Sequence, residues 1–174
     1  METVKIIALS LLAACTYGVV QDQVTVRVCI EYFTIGHPPV FATQSLTLLA
    51  LGWGIITTWW VGLPLGIALV CSARIGHRAK LGARDLLPMI VKLLVVMGGI
   101  AFLAGVAGYL AARQGWVWLN EPLASRIPPN RHALFLVDLW AHLAAYASGI
   151  IGGLTLCMLV ILRRRKLPAS QPTS

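Results

Sequence analysis

Asp138 and His142 are the two residues whose types and spacing most favour chemistry. They lie four positions apart in a long apolar run, so on a helix both side chains project from one face. At ~1.5 Å of helix rise per residue from Ala133, they lie about 7 and 13 Å along that run. A charge at such a depth in a bilayer costs at least ~2.5 kcal/mol, so each needs a partner inside the protein.

Two hypotheses for this pair stay open. In the first, the Asp138 carboxylate accepts a hydrogen bond from His142 or Arg131, and the pair only joins neighbouring helices. In the second, the pair is a proton site or a metal site, in which Asp138 orients His142 or binds the same ion. Ionisable side chains inside membrane spans are rare, which makes them candidates for function.

A wider set of carboxylates and imidazoles is predicted to meet at the same end of the fold, at the level of Asp22. Imidazoles and carboxylates together suit a divalent transition metal such as zinc, manganese or iron. No compact motif such as His-Glu-x-x-His occurs, so the ligands would have to converge through the fold. The candidate metal ligands are Glu31, His37, His132, Asp138 and His142.

Four apolar runs must position these residues. Only 11% of the 174 residues are charged and 58% are hydrophobic, whereas soluble domains carry about 25% charged residues. About 20 apolar residues cross ~30 Å of hydrocarbon, and the predicted spans are residues 5–23, 46–73, 86–112 and 133–162. We therefore predict an all-α membrane protein, with residues 1–166 forming a single antiparallel bundle of four transmembrane helices and residues 167–174 a disordered tail.

The placement of lysine and arginine predicts the orientation, because positively charged loops remain in the cytoplasm. Nine of the 14 group on one side: Lys5, Arg74, Arg78, Lys80, Arg84, Arg163, Arg164, Arg165 and Lys166. Four lie on the other side: Arg27, Arg113, Arg126 and Arg131. The remaining one, Lys92, lies within a span. This predicts a bacterial inner (cytoplasmic) membrane protein with both ends in the cytoplasm, outer loops 24–45 and 113–132 and inner loop 74–85.

Small residues in three of the runs predict close helix contacts, because they let backbones approach. The second run carries Gly62 and Gly66, and Pro64 between them predicts a kink near Leu63. In the third run the small residues are Ala101, Gly105, Gly108 and Ala112. In the fourth run they are Ala145, Gly149 and Gly152 or Gly153.

Residues 21–39 form the most informative loop. Apolar and polar residues alternate over 24–31, which is typical of a strand, but a lone strand beside a membrane leaves its backbone groups without partners. A helical continuation of the first span would make Arg27 and Glu31 i, i+4 partners. We favour an ordered loop or a short helix on the outer face, ended by the turn at His37-Pro38-Pro39.

The same segment carries a resemblance. Tyr-Gly at 17–18, Asp-Gln-x-Thr at 22–25 and Glu-Tyr-Phe-Thr at 31–34 resemble a pattern that follows the first span in an uncharacterised group of small multi-spanning bacterial inner-membrane proteins. The resemblance covers about a fifth of the chain, and no activity is known for the group. It implies that five residues act together, without saying how: Asp22, Gln23, Thr25, Glu31 and Tyr32.

The first run has an alternative interpretation, because Leu12-Ala13-Ala14-Cys15 resembles the end of a cleaved lipoprotein signal. The run stays apolar beyond Cys15, however, which favours a span.

Three functions stay open, and whether the protein is an enzyme is undecided. The leading hypothesis is a structural or accessory membrane protein, whose partners are the lipid bilayer and either another membrane protein or further copies of itself. The alternatives are a small membrane enzyme or binding protein with a metal or small ligand at the polar cluster, and a proton or ion path through Asp138 and His142 in an oligomer. The net charge of +8 follows from the topology pattern, so a nucleic-acid partner is not expected.

Overall fold

The computed structural model describes residues 1–168, which are helical along most of their length and contain no strand. The helices are α1 (Glu2–Val28), α2 (Ile30–Thr34), α3 (Leu46–Ile56), α4 (Trp59–Arg74), α5 (Ala83–Arg113), α6 (Leu123–Arg126) and α7 (His132–Lys166). A 3-10 turn over Pro129–Arg131 leads into α7. Helix α1, α3 with α4, α5, and the turn with α7 make four units long and apolar enough to cross a membrane. The prediction of an all-α protein with four candidate spans is confirmed. Most of the predicted tail, from residue 169 on, lies outside the described residues.

The long helices pack in a fixed order through small residues. Helix α1 packs against α3 and α4, α4 packs against α7, and α7 packs against α5. Gly62 and Gly66 of α4 lie against Ala14 and Ser10 of α1, and Gly105 of α5 lies against α7. The predicted small-residue stripes therefore lie at helix contacts, where the missing side chains let the backbones approach.

The second candidate span is interrupted at Thr57 and Thr58, between α3 and α4, and α4 continues through Pro64. This interruption lies before Pro64 and has a different cause, and the kink near Leu63 stays a prediction. The hydroxyl groups of both threonines donate to backbone carbonyls one turn earlier in α3, which bends a helix. Beside the break, a Cβ atom on Gly54 would lie 2.5 Å from the backbone nitrogen of Val19, so α1 and α3 touch there.

Helix α1 is longer than the predicted span and reaches Val28 before the backbone turns extended at Cys29 (φ −146°, ψ 96°). The alternation over residues 24–31 does not produce a strand, because a helix satisfies its own backbone hydrogen bonds beside a membrane. The pair of Arg27 and Glu31 that a helical continuation would have allowed does not form, because α1 ends at Val28 and Glu31 lies in α2. Arg27 donates to Gln23 and to the Thr47 hydroxyl instead.

The two ends of the helices differ in their buried groups. One end carries α2 and an aromatic core that includes Tyr32, Phe33, Trp53 and Phe135, and we call it the α2 end. The other end, the arginine end, has an aliphatic core and one buried charge, Arg164, which is 5% exposed. The two core clusters lie at opposite ends of the helices, and a polar site lies toward the middle.

Candidate functional site

Asp22 of α1 and His142 of α7 meet between two candidate spans. The His142 Nε2 atom lies 3.0 Å from Asp22 Oδ1, and the two side chains are 12% and 5% exposed, respectively. The His142 Nδ1 atom lies 2.7 Å from the backbone carbonyl of Asp138, one turn earlier in the same helix. The hypothesis of a hydrogen bond between the Asp138 carboxylate and His142 is therefore wrong. The Nδ1 atom of His142 faces the backbone carbonyl of Asp138, and its Nε2 atom faces Asp22 of α1.

The hydrogen bonds of His142 define how many protons the pair carries. A backbone carbonyl only accepts, so Nδ1 must carry a proton. The contact between Nε2 and the Asp22 oxygen then needs one more proton, held either on the imidazole, giving an ion pair, or on the carboxyl, giving a neutral pair. In both forms the two side chains share one proton and join α1 to α7.

Aromatic rings close the site toward the α2 end. The Tyr32 ring stacks on His142 with centroids 4.6 Å apart and planes at 25°. The His37 Nδ1 atom lies 2.8 Å from the Tyr32 carbonyl oxygen and donates a hydrogen bond to it. The His37 ring packs against Trp53, with ring centroids 4.5 Å apart. Burial lowers the pKa of His37, which favours the neutral ring. His37 thus fixes the position of Tyr32 over the Asp22–His142 pair.

A cavity of about 110 Å³ lies beside Asp22 and His142 and is lined by residues of α1, α4, α5 and α7; we call it the central cavity. A water molecule needs roughly 10–15 Å³ on this scale, so the space holds several waters or one small organic molecule. Two polar atoms on its wall are buried without any hydrogen-bond partner among the described residues, the Tyr17 hydroxyl and Gln21 Oε1. Away from this polar end, the wall is mostly apolar and includes Leu65, Leu94 and Met97.

Asp138 is fully buried (0% exposed) but lies outside the central cavity. Neither of its carboxyl oxygens has a hydrogen-bond partner of good geometry within residues 1–168. The backbone N–H of Cys29 faces the carboxyl, yet it donates to the Thr25 carbonyl at 2.9 Å. Arg131, the other expected partner, is bound elsewhere. The carboxyl of Asp138 is thus an unpaired polar group within the fourth candidate span.

Glu31 and Arg131 form the ion pair of the α2 end. Arg131 Nε lies 3.1 and 3.0 Å from the two Glu31 oxygens, and its guanidinium also donates to the Val28 carbonyl at 3.1 Å. Burial alone would raise the pKa of Glu31, but hydrogen bonds from its own backbone, from Cys29 and from Arg131 hold that pKa below its usual value. The pair fixes α2 to the start of α7.

The Glu31→Gln variant should lose a pH-dependent part of the stability. Because the pKa of Glu31 is lowered by folding, its stabilisation is present above the unfolded-state pKa of about 4.3 and is lost as pH falls through the folded-state pKa. At neutral pH we expect a loss of about 1 kcal/mol or less. The difference from the wild type should vanish toward pH ~3 in thermal unfolding curves. Glu121→Gln is the matched control, because Glu121 is exposed and forms no ion pair with any residue in 1–168. An unchanged Glu31→Gln offset at low pH would contradict the assignment.

The remaining predicted site residues lie apart from the Asp22–His142 pair. Gln23 donates to the Thr47 carbonyl, and the Thr25 hydroxyl donates to the Gln21 carbonyl at 3.1 Å within α1. His132 Nε2 lies near two backbone carbonyls, those of Ala124 and Ile127. Among residues 1–168, no three His, Cys, Asp or Glu side chains are grouped so that they could hold a metal ion. The proposed metal ligands are therefore not gathered at one point.

Sequence reasoning missed three contributors to the site. Tyr17 and Gln21 are four positions apart and directly precede Gly18 and Asp22, which are also four apart, so this repeat along one side of α1 was the available signal. The third, Tyr146, follows His142 by one turn, and its hydroxyl donates to the Thr57 carbonyl at 2.9 Å. This bond satisfies a backbone group at the break between α3 and α4.

Comparison with protein-family models finds no match for this chain, and neither do comparisons with curated proteins and with solved structures.

Proposed function

We propose that this chain is a four-span inner-membrane protein, with both ends in the cytoplasm, that binds a small amphipathic molecule in the central cavity. The observation that supports this function is that only some of the polar groups on the cavity wall have hydrogen-bond partners. Asp22 and His142 are bonded to each other, while the Tyr17 hydroxyl and Gln21 Oε1 beside them are buried and unpaired.

Unpaired polar groups favour binding over a purely structural role. Buried polar atoms in folded proteins are almost always hydrogen-bonded, and leaving one unpaired costs about 1–3 kcal/mol. A cluster that served only to join helices would be paired throughout. A ligand with one hydroxyl could donate to Gln21 Oε1 and accept from Tyr17, while its apolar body lies against Leu65, Leu94 and Met97.

The proposed orientation of the protein in the membrane is based on the distribution of its charges. Exposed cations such as Arg78, Arg163 and Arg165 lie at the arginine end, and loops rich in lysine and arginine stay in the cytoplasm. The α2 end would then face outward, with Tyr32, His37 and Trp53 between the site and the exterior. The ligand would be bound in the outer half of the membrane.

Cyclohexanol and methylcyclohexane, which are similar in shape and differ by the hydroxyl, test the binding proposal in detergent-solubilised protein. We expect cyclohexanol to raise the melting temperature saturably and methylcyclohexane to do so far less. Ala145→Leu fills the cavity from α7 and should abolish the shift, while Ala147→Leu, on an exposed face of the same helix, should keep it. Ala13→Leu fills the cavity from α1 if Ala145→Leu does not fold. Equal shifts by both compounds, or an undiminished shift in the filled variants, would contradict the proposal.

A structural role is the second candidate, and it is favoured by the Asp22–His142 bond between α1 and α7. Under this hypothesis the pair stabilises the fold and the cavity is incidental. Absence of any cyclohexanol shift, together with a strong energetic coupling between Asp22 and His142, would favour it.

A further inference from the structure

We propose that a groove between α1 and α5 binds the hydrocarbon chain of a lipid alcohol, with the hydroxyl group at Asp138. We call it the lateral groove; it has a volume of about 490 Å³ and lies on the other side of Tyr17 and Gln21, which line both this groove and the central cavity. Its walls include Val20 and Val24 of α1, Gly98 and Gly105 of α5, and Asp138 of α7 at the α2 end.

The dimensions of the lateral groove fit one chain of one leaflet. On α5 it runs from Gly98 to Tyr109, which is about 17 Å at ~1.5 Å per residue. This is roughly half of the ~30 Å hydrocarbon core of a bilayer. A Cβ atom on Gly98 would meet nothing within 4 Å, so the groove is open at that point.

Asp138 determines which head group the lateral groove favours. Its carboxyl is fully buried and unpaired, and it is the one acidic side chain on an otherwise mostly apolar wall. A hydroxyl group both donates and accepts, so it can bond to a carboxylate and to a protonated carboxyl alike. An ester only accepts, and it could bond to the protonated form alone.

The charges around Asp138 argue against an anionic head. Asp22 and Glu31 are close enough to act on the Asp138 carboxyl electrostatically. The nearest cation, Arg131, already binds Glu31 and the Val28 carbonyl. A phosphate or carboxylate head would meet like charges with no free cation among these groups, whereas a neutral hydroxyl avoids that cost.

Lauryl alcohol and methyl laurate, which share a chain, test the inference by titration into detergent-solubilised protein followed by native mass spectrometry. We expect the alcohol to bind at least about tenfold more tightly than the ester. Gly98→Phe blocks the groove and should weaken alcohol binding about tenfold or more. Gly99→Phe, at a neighbouring open position outside the groove, should change it less than about twofold.

The Asp138→Leu variant separates head-group recognition from chain binding. It should still bind both compounds but lose the preference for the alcohol, and Asp138→Asn, whose amide N–H can donate to the ester as well as to the alcohol, should reduce the preference. Ala145→Leu fills the central cavity but does not alter the wall of the lateral groove, so it should leave binding of lauryl alcohol intact. Loss of binding in the central cavity can thus be told apart from loss of binding in the lateral groove. Equal affinity of the wild type for the two compounds, or unchanged binding in Gly98→Phe, would overturn the inference.

Discussion

Replacing His142 with alanine should lower the free energy of unfolding by about 1–3 kcal/mol, because it leaves the Asp22 carboxyl buried and without its partner. Asp22→Ala should cost about as much, since it leaves the His142 Nε2 atom buried and without its partner. His77→Ala removes an exposed histidine at the arginine end and should change the stability by less than about 0.5 kcal/mol.

A double-mutant cycle on Asp22 and His142 measures their interaction directly. The double variant should be less destabilised than the sum of the single variants, with a coupling energy of about 1–3 kcal/mol in detergent unfolding experiments. Additive effects would mean that the two side chains do not meet in the folded protein, and the geometry of the site would be wrong.

Arg164→Ala should destabilise the arginine end by about 3 kcal/mol. The guanidinium is 5% exposed and donates to four backbone carbonyls at the end of α4 and in the following loop. The acceptors and donor–acceptor distances are Ser72 at 2.6 Å, Ala79 at 2.7 Å, Ile75 at 2.9 Å and Arg78 at 3.3 Å. Hydrogen bonds from a charged donor contribute about 1.5–3 kcal/mol each, although water replaces part of this at a helix end.

The matched control is Arg165→Ala, which removes the same charge from the neighbouring exposed position. It should change the melting temperature little. Arg164→Lys should fall between the two, because an ammonium keeps the charge but lacks the planar fork that reaches several carbonyls. Equal melting temperatures for Arg164→Ala and Arg165→Ala would show that these residues act only as charges that set the orientation.

The sequence predicts the four long apolar helices and the small residues at their contacts, because both depend on local properties. Long apolar runs give the four helical units, and glycines at positions such as 62, 66 and 105 lie where helices meet. Placing Asp22 at the level of His142 also needed only the position of each residue along its run. The bond between them was not predicted, because spacing within α7 pointed to Asp138 as the partner of His142.

The errors share a physical cause, which is that sequence spacing does not give the rotation of one helix against another. Glu31 pairs with Arg131, one hundred positions away, and not with Arg27. Arg164 looks like its neighbours in sequence, yet its rotation on α7 buries it under the loop after α4. Tyr17 and Gln21 contribute to the site because α1 turns that face toward the central cavity.

Cysteine cross-linking in native membranes tests the meeting of α1 and α7 most directly. In a chain with its four cysteines replaced, Asp22→Cys and His142→Cys should be joined by a short bis-methanethiosulfonate reagent, because the two native side chains meet end to end and a direct disulfide would be too short to bridge them. The link is seen as a change in gel mobility that a reductant reverses. The pair of Asp22→Cys with Leu143→Cys, whose side chain lies on the exposed face of α7, should not be linked. Efficient cross-linking of the Leu143 pair, with none for the His142 pair, would contradict the account.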